Sequence, residues 1–82
     1  MMNEDEIIKG VEKIVNYYEI WTIGITDDPD RRKKEHGDPK NWHQWEADTE
    51  EIARNVEKHF IVKGMQGASG GGDTPNFVYI FL

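Results

Sequence analysis

The chain has 82 residues, no cysteine, and 16 acidic against 10 basic residues, which gives a net charge of -6. This length predicts one small domain over residues 1–82, and the absence of thiols excludes a disulfide framework and a thiolate metal site. The charge argues against general electrostatic binding of nucleic acid, and no apolar run approaches the roughly 20 residues that span a bilayer. Because the acidic start also lacks a signal-peptide pattern, we expect a cytoplasmic protein with no membrane partner. We expect it to be a monomer or a weak dimer.

The first predicted element is a helix over residues 4–18, where apolar residues recur along one face. Asn3 is its predicted N-cap, and the acidic residues that follow suit the positive end of the helix dipole. Nothing on this helix indicates chemistry. Its predicted role is therefore to pack against a sheet.

A strand is predicted over residues 19–26, with Trp21, Ile23 and Ile25 on one side and Gly24 on the other. A glycine inside a strand lowers stability. It therefore marks a bulge, a close approach of backbone or ligand, or a place where a helix packs. The sequence leaves these alternatives open.

A short basic helix is predicted over residues 29–36. Asp28 is a suitable N-cap, Pro29 suits the first helical position, and Gly37 suits the left-handed residue after the last turn. Arg32 and His36 are four residues apart and therefore share one face of this helix. These two side chains, next to a strand glycine, are the strongest functional signal in the chain.

The basic helix belongs to a locally positive segment. Residues 31–43 contain five Lys or Arg and two acidic residues, so five minus two leaves an excess of three positive charges. One interpretation is a nucleic-acid contact surface, and the plainer one is a solvated helix face. The predicted nucleic-acid contacts are Arg31, Arg32, Lys34 and Lys40.

A second strand is predicted over residues 42–48. Trp42 and Trp45 would face opposite sides of it. Either one of them is an exposed base-stacking platform or, more plainly, both shield the thin core. A helix capped by Asp48 is predicted to follow and to end at Lys63. Its Glu57 falls in a row of apolar residues, which places this carboxylate at the edge of the buried stripe or partly buried with a partner.

The remaining chain is a glycine-rich segment and a last strand. Residues 65–75 are expected to form no regular element, and they do not match a phosphate-cradling loop. Residues 76–82 are nearly all apolar, which predicts a strand in the middle of the sheet. The order of elements predicts an α/β fold with a small three-stranded sheet flanked by three helices, although antiparallel pairing is open.

The ordered set of polar residues resembles the GIY-YIG nuclease superfamily. Thr22-Ile23-Gly24 occupies the position of the Y-I-G motif, and Arg32 and His36 follow at the family's spacing. Glu57, in the context E-x-x-F-I, and Asn76, at the start of the last strand, match the later motifs in type and order. The resemblance covers residues 20–82 and implies a GIY-YIG endonuclease-like fold.

The resemblance implies metal-dependent cleavage of nucleic acid, DNA rather than RNA. Arg32, Glu57, Thr22, His36 and Asn76 would form the catalytic site. Glu57 would hold Mg²⁺ or Mn²⁺, the arginine would neutralise charge on the phosphate, and Asn76 and His36 would assist.

The chain also departs from the family pattern. A charged helix over residues 1–18 replaces the first strand with its G-I-Y motif, and Thr22 stands where the second tyrosine belongs. Threonine lacks the acidity of a phenol, so the proton-transfer part of the site is missing. Three hypotheses follow. They are a nuclease with a degenerate site, a non-catalytic module that binds nucleic acid or protein, and a structural domain with an arginine–glutamate ion pair.

Overall fold

The computed structural model describes residues 1–68 and 72–82. These residues form three α-helices, a short 3₁₀ turn and four strands. The helices are α1 (Glu4–Ile14), α2 (Pro29–Glu35) and α3 (Glu50–Lys63), and the 3₁₀ turn is Tyr18–Ile20. The strands are β1 (Thr22–Thr26), β2 (Trp42–Glu46), β3 (Gln66–Gly67) and β4 (Phe77–Phe81).

The sheet is mixed, with strand order β2-β4-β1-β3. β4 runs antiparallel to both of its neighbours, and β3 runs parallel to β1. The prediction that the last strand lies in the middle is confirmed, because β4 pairs with β1 on one side and β2 on the other. The α/β class is confirmed too.

The three-stranded sheet is corrected to four strands, because β3 lies in the segment where no element was expected. Gln66 donates its backbone N–H to Trp21 at 3.1 Å, and Ala68 donates to Ile23 at 2.9 Å. Two such bonds to an existing strand hold a two-residue strand that local sequence does not favour. The rest of the predicted glycine-rich loop includes residues 69–71, which lie outside the described residues.

The N-terminal helix is shorter than predicted. Asn3 caps α1 in a reciprocal capping box with Glu6, as 2.9 Å bonds in both directions show. The helix ends at Ile14, because Val15 adopts an extended backbone and the Asn16 side chain accepts from the Tyr17 N–H at 3.0 Å. The 3₁₀ turn then takes the first residues of the predicted strand.

Helix α2 follows its sequence signals, and α3 departs from them in one respect. Asp28 caps α2 by accepting from the Arg31 N–H at 3.1 Å, and Gly37 has a φ of 83°. The cap of α3 is Thr49, which accepts from the Ile52 N–H at 3.1 Å. The predicted cap, Asp48, instead uses its backbone N–H to bond Met2 at 2.9 Å, so it belongs to the end of the β2 segment.

The core lies between one face of the sheet and helices α1 and α3. Its buried side chains come from both helices and from alternate positions of the central strands; they include Ile7, Val11, Ile23, Ile25, Val56, Phe60, Val78 and Ile80. Alternation along a strand sends the intervening residues to the other side of the sheet. We call that side the outer face, and α2 lies against it.

Candidate functional site

The outer face brings together side chains of the α2 segment, residues from neighbouring strands, and the strand glycine. In the sheet register Gly24 of β1 is directly opposite Tyr79 of β4, which is directly opposite Gln44 of β2. Tyr79 is fully buried. The site therefore centres on a tyrosine ring in the middle of the sheet.

Tyr79 lies across Gly24. A methyl group placed on Gly24 would overlap the hydroxyl and the ring of Tyr79. The group that approaches Gly24 is therefore a side chain of the neighbouring strand, which none of the alternatives left open by the sequence had named. The bare glycine lets the phenol reach over β1 toward α2.

Two side chains of the α2 segment bond to that phenol. Arg32 donates from Nη2 to the Tyr79 hydroxyl at 3.2 Å, and His36 Nε2 lies 3.0 Å from the same oxygen. Arg32 Nη2 also lies 3.4 Å from His36 Nε2, and a guanidinium can only donate. A neutral His36 with its proton on Nδ1 satisfies both contacts, since its Nε2 then accepts from Arg32 and from the Tyr79 hydroxyl.

Burial and charge shift the ionisation of all three groups. The hydrogen bond to Tyr79 raises the pKa of Arg32. Burial lowers the pKa of His36, and the charge of Arg32 lowers it further. Burial raises the pKa of Tyr79, although its bond to Arg32 opposes that rise. The three groups are thus held as a guanidinium cation, a neutral imidazole and a neutral phenol.

Aromatic rings surround the phenol. The Trp42 ring stacks on Tyr79 with centroids 4.5 Å apart and an angle of 10° between the planes. Phe81 lies 5.6 Å from Trp42, and its ring is 4.6 Å from His36. We call Arg32, His36, Trp42, Tyr79 and Phe81 the Tyr79 cluster.

Glu57 is half-buried on α3 at the edge of its buried stripe. Burial raises the pKa of its carboxyl group, and the charge of Arg54 partly opposes that rise. Its negative charge also contributes to the raised pKa of Tyr79, so the carboxylate is electrostatically coupled to the cluster. Arg32 forms its ion pair with Glu35, at 2.9 Å, which argues against the hypothesis of an Arg32–Glu57 pair.

Glu57 is the predicted metal ligand, and a resident metal site would need further donor groups beside it. Within residues 1–68 and 72–82, no three His, Cys, Asp or Glu side chains are grouped so that they could hold an ion. One carboxylate is a poor cage by itself, although Mg²⁺ often uses one or two carboxylates together with water and substrate phosphate. We therefore assign no chemical step to a metal here.

The predicted nucleic-acid contacts divide into an inner residue, Arg32, and an outer set of exposed residues, Arg31, Lys34 and Lys40. The side chain of Arg32 is 15% exposed, because it is directed at the Tyr79 cluster. Arg31 is 52% exposed and forms an ion pair with Asp27 at 3.2 Å. Lys34 and Lys40 are exposed. Only the outer set is available to contact a phosphate backbone in this conformation.

Thr22 and Asn76 lie away from the hydroxyl of Tyr79. Thr22 is on the outer face but pairs with Phe81 and Gln66, two positions along β1 from Gly24. Asn76 donates from its side chain to Glu46 at 3.4 Å, just before the start of β4. The structure thus brings Arg32 and His36 together, places Glu57 on α3, which packs on the core side of the sheet, and gives Asn76 a different partner.

Tyr79 is the residue that sequence reasoning missed. The run from Phe77 to Leu82 indicated burial on both faces, so its one hydroxyl was given no role. The available signal was Gly24, because a glycine inside a strand leaves room for a large side chain from a neighbouring strand. The opposite facing of Trp42 and Trp45 is confirmed, because Trp45 packs against the core and Trp42 against Tyr79.

Comparison with models of protein families, with curated proteins and with solved structures gives no match for this chain. The resemblance to GIY-YIG nucleases therefore depends on the ordered residues and their geometry. In the part of the chain that the structure describes, every helix is too short or too polar to cross a membrane.

Proposed function

We propose that this chain is a nucleic-acid-binding domain of GIY-YIG-like organisation, with DNA as its first candidate ligand. The observation that carries the proposal is the position of Arg32 and His36. They follow a strand glycine at the family's spacing, and both bond to a group that lies over that glycine. This arrangement fixes α2 to the outer face and leaves its other side chains to solvent.

The exposed cations would make the phosphate contacts. Lys34 and Lys40 are both exposed on or just after α2. The cations would contact phosphate oxygens, and such contacts give affinity that is independent of sequence and weakens with salt. The net charge of -6 limits long-range attraction, so we expect weak binding that is measurable at low salt.

The test is binding of fluorescently labelled DNA, followed by anisotropy in about 50 mM salt, with charge-matched variants. Lys34→Glu combined with Lys40→Glu should weaken binding at least about tenfold and reduce the salt dependence, because about two phosphate contacts are lost. The matched control is Lys9→Glu combined with Lys63→Glu, two exposed lysines on α1 and α3. Equal losses in both double variants would count against a contact surface on α2.

A second candidate function is metal-dependent cleavage of the bound nucleic acid. Tyr79 favours it, because this residue brings a phenol to Arg32 and His36 where Thr22 cannot supply one. Glu57 favours it as well, since burial raises the pKa of this carboxyl group and its charge raises the pKa of Tyr79, as occurs at functional sites. Mg²⁺ or Mn²⁺ would enter with the substrate rather than reside in the protein.

Cleavage is tested with branched, nicked and plain duplex DNA and with single strands. Each substrate is incubated with Mg²⁺, Mn²⁺ or a chelator. A nuclease should lose activity with the chelator and in Arg32→Ala and Glu57→Ala, whereas Glu51→Ala, an exposed position on the same helix, should retain it. If no substrate is cut while DNA binding persists, the binding module is the correct alternative. If neither binding nor cleavage is found, a structural or protein-binding role remains.

A further inference from the structure

We propose that the outer face binds single-stranded nucleic acid, with one base stacked on Trp42. This inference rests on the proposed function and deepens it, because it names the form of nucleic acid and the residue that selects it. The aromatic rings of the Tyr79 cluster have one buried member inside the sheet, Tyr79, and one partly exposed member at its edge, Trp42.

Three of these rings form a stack, and they are nearly parallel. Trp42 and Tyr79 are inclined by 10°, Trp42 and Phe81 by 18°, and Tyr79 and Phe81 by 18°. Tyr79 is fully buried, whereas Trp42 and Phe81 are partly exposed. Because β2 is an edge strand in the order β2-β4-β1-β3, Trp42 ends the stack at the border of the sheet.

The Trp42 ring is held in place before any ligand arrives. Its indole N–H donates to the Gln44 side chain at 2.8 Å, along the same strand. Its ring packs on Tyr79, which is in turn bonded to Arg32 and His36. A base that stacked on Trp42 would meet a ring that is already held in place, so little side-chain freedom would be lost on binding.

The charges near Trp42 fit a phosphate chain at the same end of the strand. Lys40 precedes Trp42 by two residues and is exposed, and Lys34 is exposed on α2, whose neighbouring His36 ring lies 6.3 Å from Trp42. The acidic Glu46 is at the opposite end of β2, next to Asn76. A strand bound at the Trp42 end would therefore meet the lysines and avoid that carboxylate.

A single strand fits this surface better than a duplex. In a duplex the base faces are already stacked on one another, whereas a single strand offers a free face to an aromatic platform. The net charge of -6 also disfavours the denser charge of a duplex. Aromatic residues on an open sheet face are one general way in which proteins bind single strands.

The experiment compares labelled single strands of DNA and RNA, each about 12 nucleotides long, with a hairpin duplex at low salt, by anisotropy and by tryptophan fluorescence. Single strands should bind at least about fivefold more tightly than the duplex. Trp42→Leu should weaken the binding of single strands at least about fivefold. Trp42→Phe should retain most of that affinity. Quenching of fluorescence should persist in Trp45→Phe, which keeps Trp42 and the core-facing Trp21, and it should be lost in Trp42→Phe.

The outcomes separate this inference from the proposed function. Equal binding of duplex and single strands, with Trp42 fluorescence unchanged, would overturn the stacking inference while leaving a nucleic-acid-binding domain. Binding of none of the three probes would overturn both. If Trp42→Leu is poorly folded by circular dichroism, Trp42→Phe and the fluorescence of Trp45→Phe still decide the matter. The DNA and RNA arms show which sugar the surface accepts.

Discussion

Gly24 and Tyr79 are cross-strand partners, and the phenol of Tyr79 occupies the space that a side chain at Gly24 would take. The relationship links the fold to the candidate site. The glycine lets the ring cross β1, and the ring presents its hydroxyl to Arg32 and His36. A substitution at either residue should therefore change both the stability of the protein and the position of α2.

Gly24→Ala should destabilise the protein by about 1–3 kcal/mol, because the new methyl group overlaps a fully buried ring. Urea unfolding of the variant measures this change. The control is a double-mutant cycle with Tyr79→Ala, in which the added cost of the Gly24→Ala substitution should fall once the ring is absent. An unchanged cost would show that the ring is not what excludes a side chain from this position.

Tyr79→Phe keeps the ring over Gly24 and removes only the hydroxyl that Arg32 and His36 share. We expect a loss of about 0.5–2 kcal/mol in the free energy of unfolding. We also expect shifted NMR signals for the His36 ring, whose Nε2 loses its 3.0 Å partner. An unchanged Nε2 signal of His36 in Tyr79→Phe would contradict the hydrogen-bonded arrangement.

Acid should weaken the fold through His36. Burial and the charge of Arg32 lower the pKa of His36 in the folded state below its ordinary value of 6.5, so the folded state favours the neutral ring. Its contribution is therefore complete above pH 6.5 and decreases as the pH falls from there through the lowered pKa. Because the carboxylates also titrate on acidification, the measurement is the difference in unfolding free energy, from urea titrations, between wild type and His36→Gln. That difference should become smaller between about pH 7.5 and about pH 5, by about 1 kcal/mol or less.

Glu57→Gln should stabilise the fold at neutral pH by about 0.5 kcal/mol or less. Burial raises the pKa of this carboxyl group, so its charged form is disfavoured in the folded state, and the disadvantage appears as the pH rises through the raised pKa. Thermal unfolding at several pH values measures the effect, which should vanish in acid, where the wild-type side chain is protonated. Glu51→Gln, exposed on the same helix, should show no such gain. A destabilised Glu57→Gln would indicate a stabilising partner for the carboxylate instead.

The features that were predictable from sequence are those specified by neighbouring residues. Asp28 and Gly37 mark the ends of α2 because capping needs only local chemistry. The continuous apolar run placed β4 in the middle of the sheet because burial on both faces leaves a composition signal. Arg32 and His36 were predictable from local sequence as well, because residues four apart on a helix lie on the same face.

The features that were missed depend on residues far apart in the chain. β3 exists because β1 offers it two backbone partners, which Gln66 and Gly67 do not reveal. The role of Tyr79 requires knowing that it is opposite Gly24, which is a matter of sheet register. Thr49 and not the predicted Asp48 caps α3, because the backbone N–H of Asp48 is bonded to Met2, a residue far away along the chain.

The position of β4 has a consequence for how the protein folds. β1 and β2 pair with opposite sides of β4 and not with each other, although residues 47–76 lie between β2 and β4 along the chain. The sheet therefore cannot assemble on a ribosome until residues 77–81 have emerged, and its closure is a late, long-range event that slows folding. A nascent chain that stopped before Phe77 would leave β2 and one edge of β1 without their partner strand, and chaperones should bind the apolar surface exposed in that state.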